Sequence, residues 1–306
     1  MGNSNHLIVI QGPTASGKTA LAIALAKKWN CAVLSADSRQ FYREISIGTA
    51  KPSAEEQDGV PHFFIDSHSV EQPVSAAQFE KEALEILERE FKKRNVSILI
   101  GGSGLFIDAL CNGLDPLPSD IEMQKKWQSV YEHEGLTKIQ DELKTLDPDY
   151  ANNVDLQNPH RVLRALEIIS LTGKKMAEVR KNQIASRPFE IIRFVITLPR
   201  EILYKRIDER VLQMIEEGLL EEAKTVLPFH QLQSLNTVGY KELFAHLKGE
   251  TDLKSAIGLI QQNSRRYAKR QLTWFRKNKE NIWLLGQTTE DRKAEILESI
   301  QKLVIS

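Results

Sequence analysis

The segment Gly12-Pro13-Thr14-Ala15-Ser16-Gly17-Lys18-Thr19 restricts the folds open to this chain more than any other feature, because it matches G-x-x-x-x-G-K-[ST]. Such a loop works only between a strand and a helix. Glycines let backbone N–H groups turn inward on phosphate oxygens, the helix N-terminus adds favourable potential, and a lysine supplies a point charge. The flanks agree: Leu7 to Ile10 is an apolar run of strand character, and Ala20 to Lys28 is built from strong helix formers. Gly12, Thr14, Ala15, Ser16, Gly17, Lys18 and Thr19 are therefore the candidate diphosphate-binding residues, with the Thr19 hydroxyl the candidate ligand of a magnesium ion.

The rest of the chain extends this βα unit. Cys31 to Ser35 reads as a second strand leading into Asp37. Val74 to Arg94 reads as a helix opened by a Ser75-x-x-Gln78 capping box, with Phe79, Ala83, Leu87 and Phe91 on its apolar face. Val96 to Ile100 is wholly apolar and ends at Gly101-Gly102. Strands alternating with helices predict an α/β class: a P-loop NTPase-like parallel sheet flanked by helices. From about Asp115 the strand signal stops. Pro116, Pro118 and Pro148 punctuate stretches of helical spacing up to Lys181, which predicts a helical insertion domain over 115–189 within a core of 1–114 and 190–306. Ile191 to Leu198 restores a strand, Arg200 to Leu227 and Leu253 to Lys277 are long helical patterns, and Ile282 to Leu285 is a candidate last strand.

With 306 residues the chain can bury a sizeable core, and Lys plus Arg balance Asp plus Glu at 41 each, so a polyanion must be met by local patches. The two cysteines, Cys31 and Cys111, lie in neither a CxxC nor a His-rich setting, which points to buried apolar residues rather than a disulfide or zinc site. No stretch approaches the roughly 18 apolar residues of a membrane span, and Met1 to His6 lacks the charged start and apolar stretch of a leader, so the expectation is a cytoplasmic protein.

The cradle alone does not say whose phosphates it holds. An ATPase has an acid at the end of a neighbouring apolar strand to organise magnesium and water. Here that strand ends in Gly101-Gly102-Ser103-Gly104, and the nearest acid is Asp37, at the crevice formed by strand ends of an open sheet. Asp37 could take a proton from an acceptor; an aspartate that merely closes a turn is the alternative.

Ser35-Ala36-Asp37-Ser38-Arg39-Gln40-Phe41-Tyr42, followed by Ile47-Gly48-Thr49-Ala50-Lys51-Pro52, resembles a signature of tRNA dimethylallyltransferases, also called tRNA isopentenyltransferases. The similarity continues through VPHFFID, SAAQF, GGSGLFIDAL, HRVLRALEI, RVLQMIEEGLLEEA, TVGYKEL and YAKRQLTWFR, nearly the whole chain. The resemblance implies transfer of a dimethylallyl group from dimethylallyl diphosphate to N6 of an adenine beside the tRNA anticodon, with diphosphate released. It also implies roles. Asp37 would be the base, Ser103 would stand near the reacting centre, and Lys18, Thr19 and magnesium would neutralise the leaving diphosphate. Ser38, Arg39 and Gln40 would meet the RNA beside Asp37 and Ser103. Two departures stand in the GGTGLY loop of the family: Ser103 for threonine, which keeps the hydroxyl, and Phe106 for tyrosine, which does not, so Phe106 is given no polar role.

Between Leu253 and Lys279 there is no acid, while Arg266, Lys269, Arg270 and Arg276 are among the cations, with Tyr267, Trp274 and Phe275 interleaved. Arg266, Lys269, Arg270 and Thr273 share a helix face fit to follow a phosphate backbone; a solvated face over an aromatic core contact is the alternative. His160, Arg161 and Arg164 form a second cluster, His160 replacing the family's usual glutamine, with Arg161, Arg164 and Ile168 on one side of a helix. Lys126 keeps charge where the family commonly has R-x-R, whereas Gln124 does not. Arg206, with Arg210 one turn on, could reach the diphosphate; salt bridging to Glu209 or Glu216 is the alternative. The expected partners are a tRNA anticodon arm, its target adenine turned out of the stack with the insertion closing over it, and dimethylallyl diphosphate. No membrane is expected, and the chain is expected to be monomeric. A small-molecule or nucleotide kinase, a prenyltransferase of free adenine nucleotides and a non-enzymatic RNA-binding protein remain the competing classes.

Overall fold

The structure is a computed structural model that describes residues 4–181 and 183–305, so Met1 to Asn3 of the opening segment lie outside the described residues. The chain divides into two compact units, Met1–Cys111 with Ser186–Ser306, and Asn112–Ala185.

The first unit runs β1 (His6–Gln11), α1 (Lys18–Trp29), β2 (Val33–Ser35), α2 (Ala54–Gln57), β3 (His62–Phe63), α3 (Ala76–Phe91), β4 (Val96–Gly101) and α4 (Gly104–Asn112). The second unit holds α5 (Ile121–Leu146), α6 (Pro148–Ala151), α7 (Pro159–Thr172) and α8 (Met176–Val179). The chain then returns through β5 (Glu190–Ile196), α9 (Arg200–Glu216), α10 (Leu219–Val226), α11 (Tyr240–Leu247), α12 (Leu253–Phe275), β6 (Ile282–Leu284) and α13 (Thr289–Ile305).

The strands form one six-stranded sheet in the order β3-β2-β4-β1-β5-β6, parallel at every pairing. Period-two geometry sends alternate residues of β1 to opposite faces. Leu7 and Val9 join a core with Phe79, Leu99 and Phe275, while Ile8 and Ile10 join another with Leu21, Leu25, Ile98 and Ile296. Both faces of the central strand are thus covered, which is why it reads as an unbroken apolar run rather than an alternating one.

Several expected boundaries move for identifiable reasons. The pattern from Arg200 to Leu227 breaks at Gly218, whose φ of 102° only glycine adopts freely, giving α9 and α10 instead of one helix. Ser75 caps α3 by accepting from the Gln78 amide. The Gln78 side chain turns forward to Glu82, so the capping box is not reciprocated. Arg187 and Phe189 belong with the first unit: Arg187 pairs with Glu80 at 2.6 Å, and Phe189 packs its ring on Phe91.

The second unit has its own core of Ile139, Leu143, Val162, Leu166 and Ile168. Its long segment α5 is interrupted at Gly135, where φ is 82°. Among the described residues no helix is long and apolar enough to cross a membrane.

Candidate active site

The loop after β1 enters α1 through Gly17, at φ 87° and without a side-chain cap, so the first amides of the helix stay free for a ligand. Gly12 is not among the loop residues, Thr14 to Thr19, that line the cavity. A Cβ there would lie 3.1 Å from the Ile196 carbonyl oxygen and 3.1 Å from Ser16 Oγ, so its contribution is close packing rather than direct binding. Lys18 Nζ donates to the Pro13 carbonyl at 2.8 Å, folding the lysine back along the loop. Burial lowers its pKa to about 8, Asp37 opposing and Arg210 reinforcing that shift.

Asp37 follows β2, and its place depends on glycine at the end of β4. A Cβ on Gly101 would lie 2.5 Å from the Ala36 carbonyl oxygen, so only glycine lets the two strand ends meet so closely. The Ser103 amide donates to that same carbonyl. Ser103 Oγ accepts from the Ser38 amide at 3.1 Å and stands 3.2 Å from Ser38 Oγ. Asp37 Oδ1 accepts from the Arg39 amide at 3.3 Å. Burial raises the Asp37 carboxyl above its ordinary range, with Lys18, the Arg39 amide and the Arg39 charge pulling the other way. Phe106 stacks edge-on against Phe41 and Phe79 and has no polar contact to make.

Two cavities adjoin at these residues. One, of about 370 Å³, is lined by Thr14 to Ala20 together with Asp37, Gln40, Lys51, Arg210 and Gln271. The other, of about 530 Å³, is lined by Asp37, Ser38, Arg39, Lys241, Tyr267 and Arg270 with an apolar wall that includes Ile207, Val211 and Leu219. Thr14, Asp37, Thr49, Arg210 and Met214 line both. The carboxylate therefore stands where the phosphate cradle opens into the second chamber.

The expected residues do not all arrive in their expected roles. Arg206 is exposed and lines neither cavity, whereas Arg210 lines both. One helical turn does not carry Arg206 inward, because the buried stripe of α9 is Leu203, Ile207 and Val211. The charges acting on Arg210 are Glu56 and Glu217, and Glu209 is taken by Lys205. Gln40 lines only the cradle cavity, its amide spent on Ser35 and on the Thr49 and Ala50 carbonyls. The Arg39 guanidinium donates to the Gln233 and Ser234 carbonyls at 3.1 and 2.6 Å.

Sequence reasoning missed Gln271, buried on α12. Its Oε1 accepts the Thr14 amide at 3.0 Å, and its Nε2 donates to the Gly102 carbonyl at 3.0 Å. The only available signal was a lone glutamine inside YAKRQLTWFR, on the helix face opposite the cations.

On α12, Arg266, Lys269, Arg270 and Thr273 are exposed, as is Arg276 just beyond the helix end. Arg265 is not part of this face, being paired with Asp208. Trp274 and Phe275 serve packing: Trp274 Nε1 donates to Asp108 at 2.7 Å, and Phe275 is buried.

Within the second unit, His160 and Arg161 are exposed at the start of α7, and Lys126 is exposed on α5 with its ammonium 5.7 Å from the Trp127 ring centre. Arg164 is committed elsewhere. Its guanidinium donates to Glu167 at 2.6 Å, and that buried carboxylate also accepts from Ser119, the Asp120 amide and Gln124. Ile168 is buried, so the expected side of Arg161, Arg164 and Ile168 is an exposed-to-core gradient rather than one RNA-facing row.

The loop suits magnesium. Thr19 and Asp37 bring oxygen donors to the cradle cavity, and Ser16 Oγ is buried without a hydrogen-bond partner among the described residues. Among those residues no group of His, Cys, Asp and Glu is gathered as a metal cage. A sparse oxygen set beside a phosphate site is what magnesium uses, since it keeps waters and takes further ligands from phosphate.

The IPP transferase family model matches residues 40–278. A tRNA dimethylallyltransferase of Cytophaga hutchinsonii is 47% identical over 289 residues, covering 94% of this chain and 95% of that protein. The chain belongs to this tRNA dimethylallyltransferase family. Tertiary structure agrees with that membership: the tRNA isopentenylpyrophosphate transferase of Bacillus halodurans matches with a TM-score of 0.72 and 36% identity over 97% of this chain and 96% of its own. A eukaryotic dimethylallyltransferase described as acting on tRNA matches with a TM-score of 0.73 and 28% identity over 89% of this chain and 70% of its own. The family model starts at Gln40, so the P-loop and Asp37 lie ahead of it, in the stretch that near-full-length relatives cover.

Proposed function

We propose that this enzyme transfers the dimethylallyl group from dimethylallyl diphosphate to N6 of an adenine beside the tRNA anticodon. The observation that carries this reading is the position of Asp37 on the shared wall of the two cavities, with the phosphate cradle on one side and an apolar and cationic chamber on the other. The diphosphate sits against the amides after Gly17, within reach of Lys18 and Arg210. The second chamber takes the prenyl chain against Val211 and Leu219, and the adenine turned out of its stack.

As the allylic C–O bond breaks, negative charge grows on the leaving diphosphate and Lys18 and the loop amides stabilise it. Magnesium held by Thr19 and phosphate oxygens would supply further charge neutralisation. The N6 lone pair forms the new C–N bond, and the N6 proton passes to Asp37. Burial raises the proton affinity of Asp37, which makes it a stronger base than a solvated carboxylate. Ser103, hydrogen-bonded to Ser38 beside Asp37, stands near the reacting centre. No attacking water has to be positioned, which accounts for Gly101-Gly102 where a hydrolase keeps an acid.

The exposed cations of α12 favour RNA over a free adenine nucleotide as acceptor, since a mononucleotide has no backbone to follow. The reading is tested by offering labelled dimethylallyl diphosphate with magnesium to unmodified tRNA and to free adenosine monophosphate, with labelled ATP as rival donor. Label must enter tRNA and depend on the allylic donor. Label entering only the mononucleotide, or phosphate moving from ATP to a small acceptor, rejects it.

A further inference from the structure

Arg292, on α13, lies outside the residues matched by the family model and is only 2% exposed. Its Nη1 donates to the Ser16 carbonyl at 3.1 Å, its Nε donates to the Gly286 carbonyl at 2.8 Å, and its Nη2 is buried with no hydrogen-bond partner among the described residues. The acids beside it in sequence are turned to other work. Asp291 accepts from the Thr288 amide and Glu295 from the Leu285 amide. Burial and the Arg206 charge disfavour the charged guanidinium, with the Glu295 and Asp291 charges opposing them more weakly.

A buried guanidinium bonded to carbonyls rather than to a carboxylate is costly, so its position calls for a reason. Its position is directly behind the phosphate loop: a Cβ on Gly17 would lie 3.5 Å from Arg292 Nη1. The peptide unit is planar and trans, so the Ser16 C=O and the Gly17 N–H point in opposite directions. Holding the Ser16 carbonyl towards α13 therefore turns the Gly17 N–H the other way, into the cradle. Gly17, at φ 87°, has no side chain to fix its conformation.

We propose that Arg292 is a positioning residue for the diphosphate cradle, aiming the Gly17 N–H by gripping the Ser16 carbonyl from behind and placing a buried positive charge in back of the bound anion. Arg292 touches no substrate; it acts through the Ser16–Gly17 peptide. This inference rests on the cradle taking the diphosphate. It makes the C-terminal helix part of donor binding.

The test measures binding of inorganic diphosphate, with magnesium, to the full-length protein by calorimetry, alongside the KM values for dimethylallyl diphosphate and tRNA. The variants are Arg292→Gln, Arg292→Lys and Ile296→Ala, the last a buried residue of the same helix that packs in the core with Leu21 and Leu25. Arg292→Gln is expected to weaken diphosphate binding about tenfold, the loss of a charged hydrogen bond. It should raise the KM for dimethylallyl diphosphate and leave that for tRNA unchanged. Arg292→Lys keeps the charge with a different reach and should fall between. Ile296→Ala should lower Tm while holding diphosphate affinity within about twofold. The inference is overturned if Arg292→Gln binds diphosphate as the wild type does, or if Ile296→Ala weakens it equally at a matched loss of Tm. Should Arg292→Gln not fold, wild-type affinity in Arg292→Lys overturns it instead. Failure of the wild type to bind inorganic diphosphate is a separate result, which removes the diphosphate reading of the cradle and this inference with it.

Discussion

Gln271 Oε1 accepts the Thr14 amide at 3.0 Å, so one residue of the helix that presents Arg266 and Lys269 to solvent also holds the phosphate loop. Its Nε2 closes the link by donating to Gly102 at 3.0 Å. Gln271→Ala would leave a buried donor and a buried acceptor unpaired, a cost of about 1–3 kcal/mol. In kinetics it is expected as a rise of about tenfold or more in the KM for dimethylallyl diphosphate. Gln271→Glu should be worse, since a carboxylate cannot donate to Gly102 and adds negative charge beside a diphosphate. Steady-state kinetics with varied donor at saturating tRNA checks both; an unchanged donor KM contradicts the coupling.

The pH dependence of kcat/KM for dimethylallyl diphosphate should be a bell. Asp37 must be ionised to accept a proton, and burial raises its pKa, so the acid limb lies above the ordinary carboxylate range. Lys18 must be charged to meet the diphosphate, and burial lowers its pKa to about 8, so activity falls as pH rises through that value. Bound diphosphate favours the protonated amine, so the alkaline limb of kcat should lie at higher pH than that of kcat/KM. Rate profiles measured over both limbs check this, and superimposable alkaline limbs contradict the placement of Lys18.

Removing exposed cations from α12 should weaken tRNA binding without affecting the donor. Replacing Arg266, Lys269 and Arg276 by Gln is expected to flatten the plot of log affinity against log salt, by on the order of 0.7 for each phosphate no longer neutralised. Arg265→Gln serves as the contrast, because Arg265 is paired with Asp208. It should leave the salt slope unchanged. Filter binding across a salt series distinguishes the two.

Arg161 and Arg164 are one helical turn apart on α7 yet should behave in opposite ways. Arg161→Ala, at an exposed position, is expected to reduce tRNA affinity with Tm unchanged. Arg164→Ala frees the buried Glu167 carboxylate from its 2.6 Å partner and is expected to lower stability first, by about 1–3 kcal/mol. Thermal melts beside binding isotherms check the pair.

Local patterns in the sequence carried the sheet and the phosphate loop. The apolar run of β1, the glycines of the loop and the helix formers of α1 are short-range signals, each with a direct physical cause. The place of Asp37 beside the phosphate loop was legible because strand ends of such a sheet converge. What could not be read was long-range pairing. Gln271 meets Thr14 across the whole chain, Arg164 turns to a carboxylate whose burial the sequence does not announce, and the choice of Arg210 over Arg206 depends on which turn of α9 faces the core. The break at Gly218 is similar, since a glycine inside a helical pattern carries no mark of its φ.

The most direct test is nucleoside mass spectrometry of unmodified tRNA after incubation with magnesium, dimethylallyl diphosphate and either wild-type protein or Asp37→Ala. The wild type is predicted to add one dimethylallyl group to an adenine of the anticodon arm, and Asp37→Ala to lose roughly 10²–10⁴-fold in rate while still binding inorganic diphosphate. Modification at an undiminished rate by Asp37→Ala, or no prenylated adenine with the wild type, would contradict the account.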